Sequence, residues 1–425
     1  MNKVLIITYY WPPSGGAGVQ RWLKFAKYLP EFRWVPHIYT PSNPEAPAKD
    51  DSLQKDVPKE AVIVKREIFE PYSFYKKFTG NRGNVNAGFL SEEKDSRKKW
   101  TERLSIWIRG NLFIPDARVM WVRPSVRFLK KYILENDIKV VVSTGPPHSM
   151  HLIAAKLKKQ LNIKWIADFR DPWTNIDFYK DLMLTKRADR KHHRLEKMVL
   201  QKADEVVTIG KTIGDELAEI RGKEVKIITN GYDAADFEGQ LPSSENKGFK
   251  IVHVGSVNAD RNHKIFWEGL KQLCAKNKNF EDDLELIFVG KLDYSVYEDL
   301  EKTGLKDKMK IVSYIPHNEI VNYLFTGNIL YLPLNNTPNA KGVLSGKFFE
   351  YLATGIPIIG IGHPSGDAAE IMEETQAGFI IDFDDLDGFQ EAVLRIYSEK
   401  TADMNISKRI KYSRKELTKE LIKLF

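Results

Sequence analysis

The chain has 425 residues, more than one hydrophobic core comfortably holds, so two domains are expected. Hydrophobic residues make up 42% and charged residues 29%, a balance too apolar for a disordered chain. The formal net charge of +8 suits an anionic ligand or surface, but the absence of a basic arm and of zinc-finger or RNA-recognition motifs argues against nucleic-acid binding.

Cysteine content and hydropathy indicate a cytoplasmic protein. Cys274 is the one cysteine, so no intrachain disulfide can form and a reducing compartment is expected. The N-terminus carries only about six apolar residues, too few for a signal-peptide core. No segment approaches the roughly 18 to 20 apolar residues that cross a bilayer, so membrane contact is expected to be peripheral, at the inner face of the cell membrane.

Short runs rich in valine and isoleucine alternate with helix-length stretches along the chain. Near-continuous apolar strands joined by helices predict parallel sheets with helices on both faces. The first series of predicted strands lies at 3–10, 35–40, 61–65, 139–144, 164–169, 205–210 and 225–229. The second series is KIVHVGS, LELIFVG, MKIVSYI, NILYLPL, PIIGIG and GFIID. The fold class is therefore predicted to be α/β, with two doubly wound, Rossmann-like domains.

The boundary between these domains is predicted from composition. Residues 233–250 are rich in Gly, Pro, Ser and charge and are interpreted as a linker. The predicted N-terminal domain spans 1–235 and the predicted C-terminal domain spans 236–404. Residues 405–425 are predicted to form a basic helix that either packs back on the first domain or stays solvated.

An insertion at about 69–123 mixes aromatic and basic residues. Trp100, Leu104, Trp107 and Ile108 fall at helical spacing among lysines and arginines, which predicts an amphipathic helix. Such a helix either covers a core or docks on a membrane surface, and both interpretations stay open.

A glycine cluster, Gly15, Gly16 and Gly18, follows the first predicted strand. Backbone N–H groups at a helix N-terminus attract phosphate, and glycines allow a diphosphate to approach the backbone closely. The spacing is not GxGxxG, and no acidic residue ends the second predicted strand, so NAD binding is disfavoured. A tight turn without a ligand is the alternative.

Lys347 and Glu350 lie three residues apart near the start of a predicted helix that ends at Gly355 and Pro357. An ammonium and a carboxylate on one helix face suit a nucleotide sugar, because the carboxylate accepts from ribose hydroxyls and the ammonium meets the diphosphate. An exposed ion pair is the structural alternative.

The motifs of this chain, and their order along it, resemble those of the retaining glycosyltransferases of family 4, which have the GT-B architecture. The resemblance rests on the glycine loop, ADEVVTIGKTIGDEL at 203–217, TNGYD at 229–233, GSVNADRNH at 255–263 and SGKFFEYLATGIPII at 345–359. A sub-branch with a PPxxxH…DFRDPW pattern looks closer still, through TGPPHSMHLIA at 144–154 and KWIADFRDPW at 164–173.

The resemblance implies a nucleotide-sugar donor bound mainly by the second domain, an acceptor bound by the first, and reaction in the cleft between them. The acceptor is expected to be a saccharide or a lipid-linked saccharide, in cell-surface polysaccharide or glycolipid synthesis. No metal or other cofactor is expected, because basic side chains and helix N-termini neutralise the departing diphosphate. The implied donor-binding residues are Gly15, Gly16, Gly18, Arg261, Lys264, Lys347 and Glu350.

Two positions depart from the family pattern. A glutamate often found eight residues before Glu350 is replaced here by Gly342, and the usual His-Asp pair is Arg170-Asp171. His148 and His151 could take over part of the missing histidine's role, or cap a helix. The predicted catalytic set is therefore His151, His148, Asp171 and Arg170.

Within that set, Asp171 could orient the acceptor hydroxyl or remove its proton, but Asp168, Arg170 and Asp171 could instead form a buried ion network. A nucleotide-sugar 2-epimerase or hydrolase on the same fold is an alternative function. A noncatalytic carbohydrate-binding or membrane-surface-binding protein is another, and it would bind a donor without releasing nucleotide diphosphate.

Overall fold

The computed structural model describes residues 1–46, 48–69, 96–239, 248–313, 315, 317–399 and 406–425. These residues form two compact units. The first comprises Met1–Thr229 with Leu417–Phe425, and the second comprises Asn230–Glu416. Part of the predicted linker and most of the first part of the insertion, including 70–95, lie outside the described residues.

The first unit contains a seven-stranded parallel sheet in the order β3-β2-β1-β4-β5-β6-β7. Its strands are β1 Asn2–Ile7, β2 Trp34–Pro41, β3 Val62–Arg66, β4 Val140–Gly145, β5 Lys164–Phe169, β6 Glu205–Thr208 and β7 Lys226–Ile227. Its helices are α1 Ala17–Tyr28, α2 Ser96–Leu112, α3 Val122–Glu135, α4 Ser149–Lys158, α5 Lys186–Lys202 and α6 Lys211–Arg221.

The second unit contains a six-stranded parallel sheet in the order β10-β9-β8-β11-β12-β13. Its strands are β8 Phe249–Val254, β9 Leu284–Val289, β10 Met309–Val312, β11 Ile329–Pro333, β12 Ile358–Ile361 and β13 Gly378–Ile381. The helices that follow α6 are α7 Lys264–Lys276, α8 Lys278–Asp283, α9 Tyr294–Thr303, α10 His317–Leu324, α11 Gly346–Thr354, α12 Asp367–Thr375, α13 Leu386–Glu399, α14 Ile406–Arg409 and α15 Arg414–Ile422.

Burial explains why these segments are strands. The last four residues of β1 and all six of β4 are buried, as expected for central strands covered by helices on both faces. Each of the thirteen predicted strands is present, and the α/β fold with two Rossmann-like units is confirmed.

Each sheet reverses its strand order at one point. In the first sheet the reversal lies between β1 and β4, where Val4 pairs with both Pro36 of β2 and Val140 of β4. In the second sheet it lies between β8 and β11. Ligands of open α/β sheets bind outside the carboxyl ends of the strands at such a switch point, so these two places are the first to search for a site.

The end of the chain contributes to the first unit. Leu417 and Leu421 of α15 are buried in the same apolar cluster as Val4, Ile6 and Trp22. The first three residues of α15, Arg414 to Glu416, are assigned to the second unit. Within the described part of the chain, no helix is both long and apolar enough to cross a membrane.

Candidate functional site

The switch point of the second sheet is built around Gly255, which directly follows β8. Its φ of 113° is a conformation that residues with a side chain rarely adopt. A Cβ at this position would lie 1.8 Å from Nζ of Lys347, so the lysine side chain lies directly over the glycine. The glycine therefore provides the space that holds the Lys347 ammonium at the end of β8.

Arg261 joins this site from the loop after β8. Its Nε donates to Oδ1 of Asn335 at 2.6 Å, and Asn335 follows β11, the strand on the other side of the switch point. Burial lowers the pKa of the Arg261 guanidinium, and the nearby Asp260 opposes that effect. The arginine is thus fixed in orientation, and among the described residues no other hydrogen bond of its guanidinium is seen, which leaves its Nη groups available for an anion.

Lys347 is the second cation of the site. The pKa of Lys347 is lowered to about 8, by burial first and by the neighbouring Arg261 second, while Glu350 opposes the shift. Two partly buried cations repel each other, and a multivalent anion that binds to both relieves this repulsion. The pair is therefore suited to bind a multivalent anion.

The other positions near the predicted donor site in the second unit differ in how deeply they are buried. Glu350 lies one helical turn after Lys347 on α11 and is partly buried. Lys264 is the first residue of α7 and is exposed, with no contact to the Arg261 and Lys347 pair among its described interactions. Gly342, at the position of the missing glutamate, is buried.

His253 of β8 also borders the site. It is 1% exposed, and its Nδ1 lies 2.9 Å from the carbonyl oxygen of Tyr331. Burial lowers the pKa of His253 to about 3, and Lys347 contributes in the same direction. The imidazole is therefore neutral at physiological pH and adds no third positive charge. Sequence alone does not single out this residue, because a histidine inside an apolar strand carries no motif.

The three glycines of the cluster in the first unit make close contacts within the protein. Gly16 has a φ of 92° and caps α1, and Gly15 donates its N–H to the carbonyl of Ala48 at 2.8 Å. A Cβ on Gly18 would lie 2.9 Å from the Tyr10 ring. The amide of Gly15 is therefore occupied within the protein, and the cluster lies in a different unit from Arg261 and Lys347.

Both predicted histidines lie at the carboxyl end of β4. His151 is fully buried, stacks on Phe169 with ring centroids 4.5 Å apart, and places Nδ1 2.8 Å from Oγ of Ser143. His148 stacks on Trp173 at 4.6 Å. Burial lowers the pKa of His151 to about 3 and that of His148 well below its usual value. Both are neutral, and His151 has no surface from which to reach a substrate.

Asp168 is the centre of a buried network, but its hydrogen-bonded partner is not Arg170. Its carboxylate accepts from Nε and Nη2 of Arg21 at 2.9 to 3.3 Å. It also accepts from Nε1 of Trp22 at 2.6 Å and from Oγ1 of Thr144 at 2.8 Å. Burial raises the pKa of Asp168, but these charge and hydrogen-bond contacts outweigh burial, so the pKa lies below its usual value. Asp168, Arg170 and Asp171 do interact through their charges, as the predicted ion network requires, but the cation that is hydrogen-bonded to Asp168 is Arg21 of α1.

Arg170 holds three backbone segments together. Its Nε donates to the carbonyl of Gly145 at 3.2 Å, its Nη1 to that of Gly18 at 2.8 Å, and its Nη2 to that of Pro146. The guanidinium thus connects the loop after β4 with the start of α1. Because all three contacts are to backbone carbonyls, Arg170 positions these loops and is not directed at a substrate.

In the predicted catalytic set, Asp171 is the residue with a partly exposed acceptor group. It is partly exposed, and the described contacts include no hydrogen bond to its carboxylate. Burial raises the pKa of Asp171, Arg170 opposes the shift, and Asp168 and Asp177 add to it. A carboxylate with a raised pKa at the carboxyl end of a central strand is suited to accept a proton from a hydroxyl group.

Family models match both halves of the chain. Residues 89–236 match the model described as Glycosyltransferase Family 4, and residues 248–399 match the model described as Glycosyl transferases group 1. The first match contains Asp171, and the second contains Gly255, Arg261, Lys347 and Glu350. No curated protein matches the sequence.

Solved structures with the same fold share little sequence with this chain. A glycosyltransferase from Rickettsia africae has a TM-score of 0.63 at 14% identity, covering 100% of this chain and 97% of its own. A sucrose-phosphate synthase from Thermosynechococcus elongatus has a TM-score of 0.62 at 14% identity, with coverages of 100% and 98%. The lipopolysaccharide outer core galactosyltransferase WaaB has a TM-score of 0.57 at 12% identity, with coverages of 99% and 98%.

At these identities the structures show the fold alone, while the two family models show the class of protein. The fold is GT-B, with two Rossmann-like units. The chain is a glycosyltransferase, with a family 4 domain in its first half and a group 1 domain in its second.

Proposed function

We propose that the protein transfers a sugar from a nucleotide diphosphate donor, bound by the second unit, to a saccharide or lipid-linked acceptor bound by the first. The observation that carries this proposal is the pair of partly buried cations, Arg261 and Lys347, at the switch point of the second sheet. A diphosphate carries the negative charge and the acceptor oxygens to pair with two such groups.

In the proposed donor complex, Arg261 and Lys347 contact the diphosphate and Glu350 accepts hydrogen bonds from the ribose hydroxyls. The two cations also stabilise the negative charge that develops on the leaving diphosphate. We therefore propose that the reaction needs no metal ion. Lys264, which is exposed at the start of α7, is a weaker candidate for this site.

In the proposed acceptor complex, Asp171 orients the acceptor hydroxyl and accepts its proton. Arg170 keeps the loops around Asp171 in place through its three bonds to backbone carbonyls. We propose that the transfer retains the anomeric configuration, a property implied by the resemblance to family 4. The raised pKa of Asp171 supports its role as a proton acceptor.

A role in assembling a cell-surface polysaccharide or glycolipid is the finer part of the proposal. It rests on the net charge of +8 and on the basic and aromatic residues at 96–112. Such residues suit an acceptor that is presented at an anionic membrane surface.

Thermal unfolding with a panel of UDP-, GDP-, ADP- and dTDP-sugars in EDTA tests the donor site. The proposal predicts that one nucleotide class stabilises the wild type, and that Glu350→Ala and Lys347→Gln strongly reduce the stabilisation while leaving the unliganded protein folded. Lys264→Gln is the matched control and is expected to keep most of the effect. Stabilisation that needs a divalent metal, or that is undiminished in Lys347→Gln, would contradict the proposed site.

A further inference from the structure

Helix α5 in the first unit presents a face made of basic side chains. Ala188, His192, Glu196, Val199 and Leu200 are its buried residues. The opposite face, called here the basic face, consists of Lys186, Arg187, Arg190, Lys191, Arg194 and Lys197, all of which are exposed. At 100° per residue these six side chains fall within one arc of about 140°.

This arrangement is unfavourable for the helix itself. Lys186 and Arg190, Arg187 and Lys191, and Arg190 and Arg194 are like-charge pairs four residues apart, and such pairs destabilise a helix. Cations in the first turn also oppose the positive end of the helix dipole. Asp189 is the acidic residue in that turn, and it accepts from the hydroxyl of Tyr179. The folding of α5 therefore does not account for its charges.

An exposed apolar stripe ends beside the first turn of α5. Leu104, Trp107 and Leu112 of α2 are 40%, 39% and 64% exposed. Asn111, next to Leu112, accepts from the N–H of Thr185 at 2.7 Å and donates to the carbonyl of Met183 at 3.2 Å. Because Thr185 caps α5, these bonds hold the C-terminal end of α2, where the stripe ends, against the start of α5, where the basic face begins.

We propose that the basic face of α5 and the adjoining stripe of α2 dock the protein onto an anionic phospholipid bilayer. Lysine and arginine near such a surface are attracted to its negative charge, and leucine and tryptophan insert at its interface. The apolar stripe favours a bilayer over a nucleic acid, which would contact the cations alone. The proposal concerns binding and does not depend on the reaction that the protein catalyses.

Vesicle flotation of the full chain tests this surface. The wild type is expected to float with vesicles of phosphatidylcholine and phosphatidylglycerol, but not with phosphatidylcholine alone. Arg187→Glu with Arg194→Glu is expected to weaken binding at least tenfold. Lys302→Glu with Lys306→Glu, which changes the net charge equally on exposed side chains of the second unit, is expected to bind as the wild type does.

A second pair of substitutions separates the two contributions. Trp107→Ser with Leu112→Ser is expected to weaken vesicle binding severalfold with an unchanged salt dependence, whereas the charge-reversed variant loses salt dependence. Unchanged melting temperatures show that each variant is folded. The proposal is overturned if the wild type does not bind anionic vesicles, if both charge-reversed variants bind alike, or if single-stranded RNA is bound in place of vesicles.

Discussion

Lys347 is the residue whose protonation controls the proposed donor site. In the unliganded protein its pKa is lowered to about 8, chiefly by burial. A bound diphosphate stabilises the charged ammonium, so the pKa of Lys347 rises in the complex. Donor affinity is therefore expected to be constant below about pH 8 and to fall above it, by at most about tenfold per pH unit. Calorimetric titration between pH 7 and 9.5 measures this slope.

Lys347→Gln is the control for that titration. The glutamine has no ionisable group, so its donor affinity should be weaker than that of the wild type and nearly independent of pH over the same range. If the variant shows the same slope as the wild type, the titrating group is not Lys347.

The turn after β8 is the element that places Lys347. In Gly255→Ala, the new Cβ would occupy the position of the lysine ammonium, and the φ of 113° would be strained. We expect a stability loss on the order of 1–3 kcal/mol together with loss of donor binding. Differential scanning calorimetry with and without donor measures both effects.

Gly304→Ala provides a matched comparison at the end of α9. Gly304 has a φ of 74°, and a Cβ there would meet no atom within 4 Å. The backbone strain is of the same kind, but Lys347 is not disturbed. This variant should lose stability and keep donor binding. Equal loss of donor binding in both alanine variants would show that strain alone, and not the position of Lys347, weakens the site.

At the scale of the whole molecule, helix α15 is expected to stabilise the first unit. Leu421 is fully buried in the core of that unit, although the residues before Leu417 belong to the second unit. Leu421→Ala is expected to cost about 2–5 kcal/mol through the lost contacts and the cavity. Hydrogen exchange should accelerate in β1 and α1 and remain unchanged in β8 and α7. Lys423→Ala, which removes an exposed ion pair with Glu420, should change neither.

Much of the molecule could be predicted from sequence because its signals are local. The strands are continuous apolar runs, so even the short β6 and β7 were located, although β7 covers only Lys226–Ile227 of the predicted 225–229. Lys347 and Glu350 are predicted from sequence because one helical turn separates them, and Arg261 is predicted through the family motif. Their role in donor binding stays a prediction.

The remaining features depend on contacts that sequence does not display. Arg21 and Asp168 are 147 residues apart, and nothing in either segment indicates that they pair. Arg170 binds backbone carbonyls, which every residue has, so its positioning function has no signature. The burial of His151 could not be seen from the strand-to-helix turn on which it lies. The basic face of α5 is defined only by which residues of that helix are buried, and this depends on the tertiary structure.

The most direct test of the central claim is a turnover measurement with the donor identified by thermal unfolding. Wild type and Asp171→Asn are incubated with that donor and membrane extract in EDTA, and both nucleotide diphosphate and glycosylated product are quantified. The wild type is expected to release nucleotide diphosphate in step with a glycosylated product of retained configuration. Asp171→Asn is expected to bind the donor still but to lose at least about a hundredfold in rate. Free sugar or an epimerised donor as the main product, or donor binding without turnover in the wild type, would contradict the proposed function.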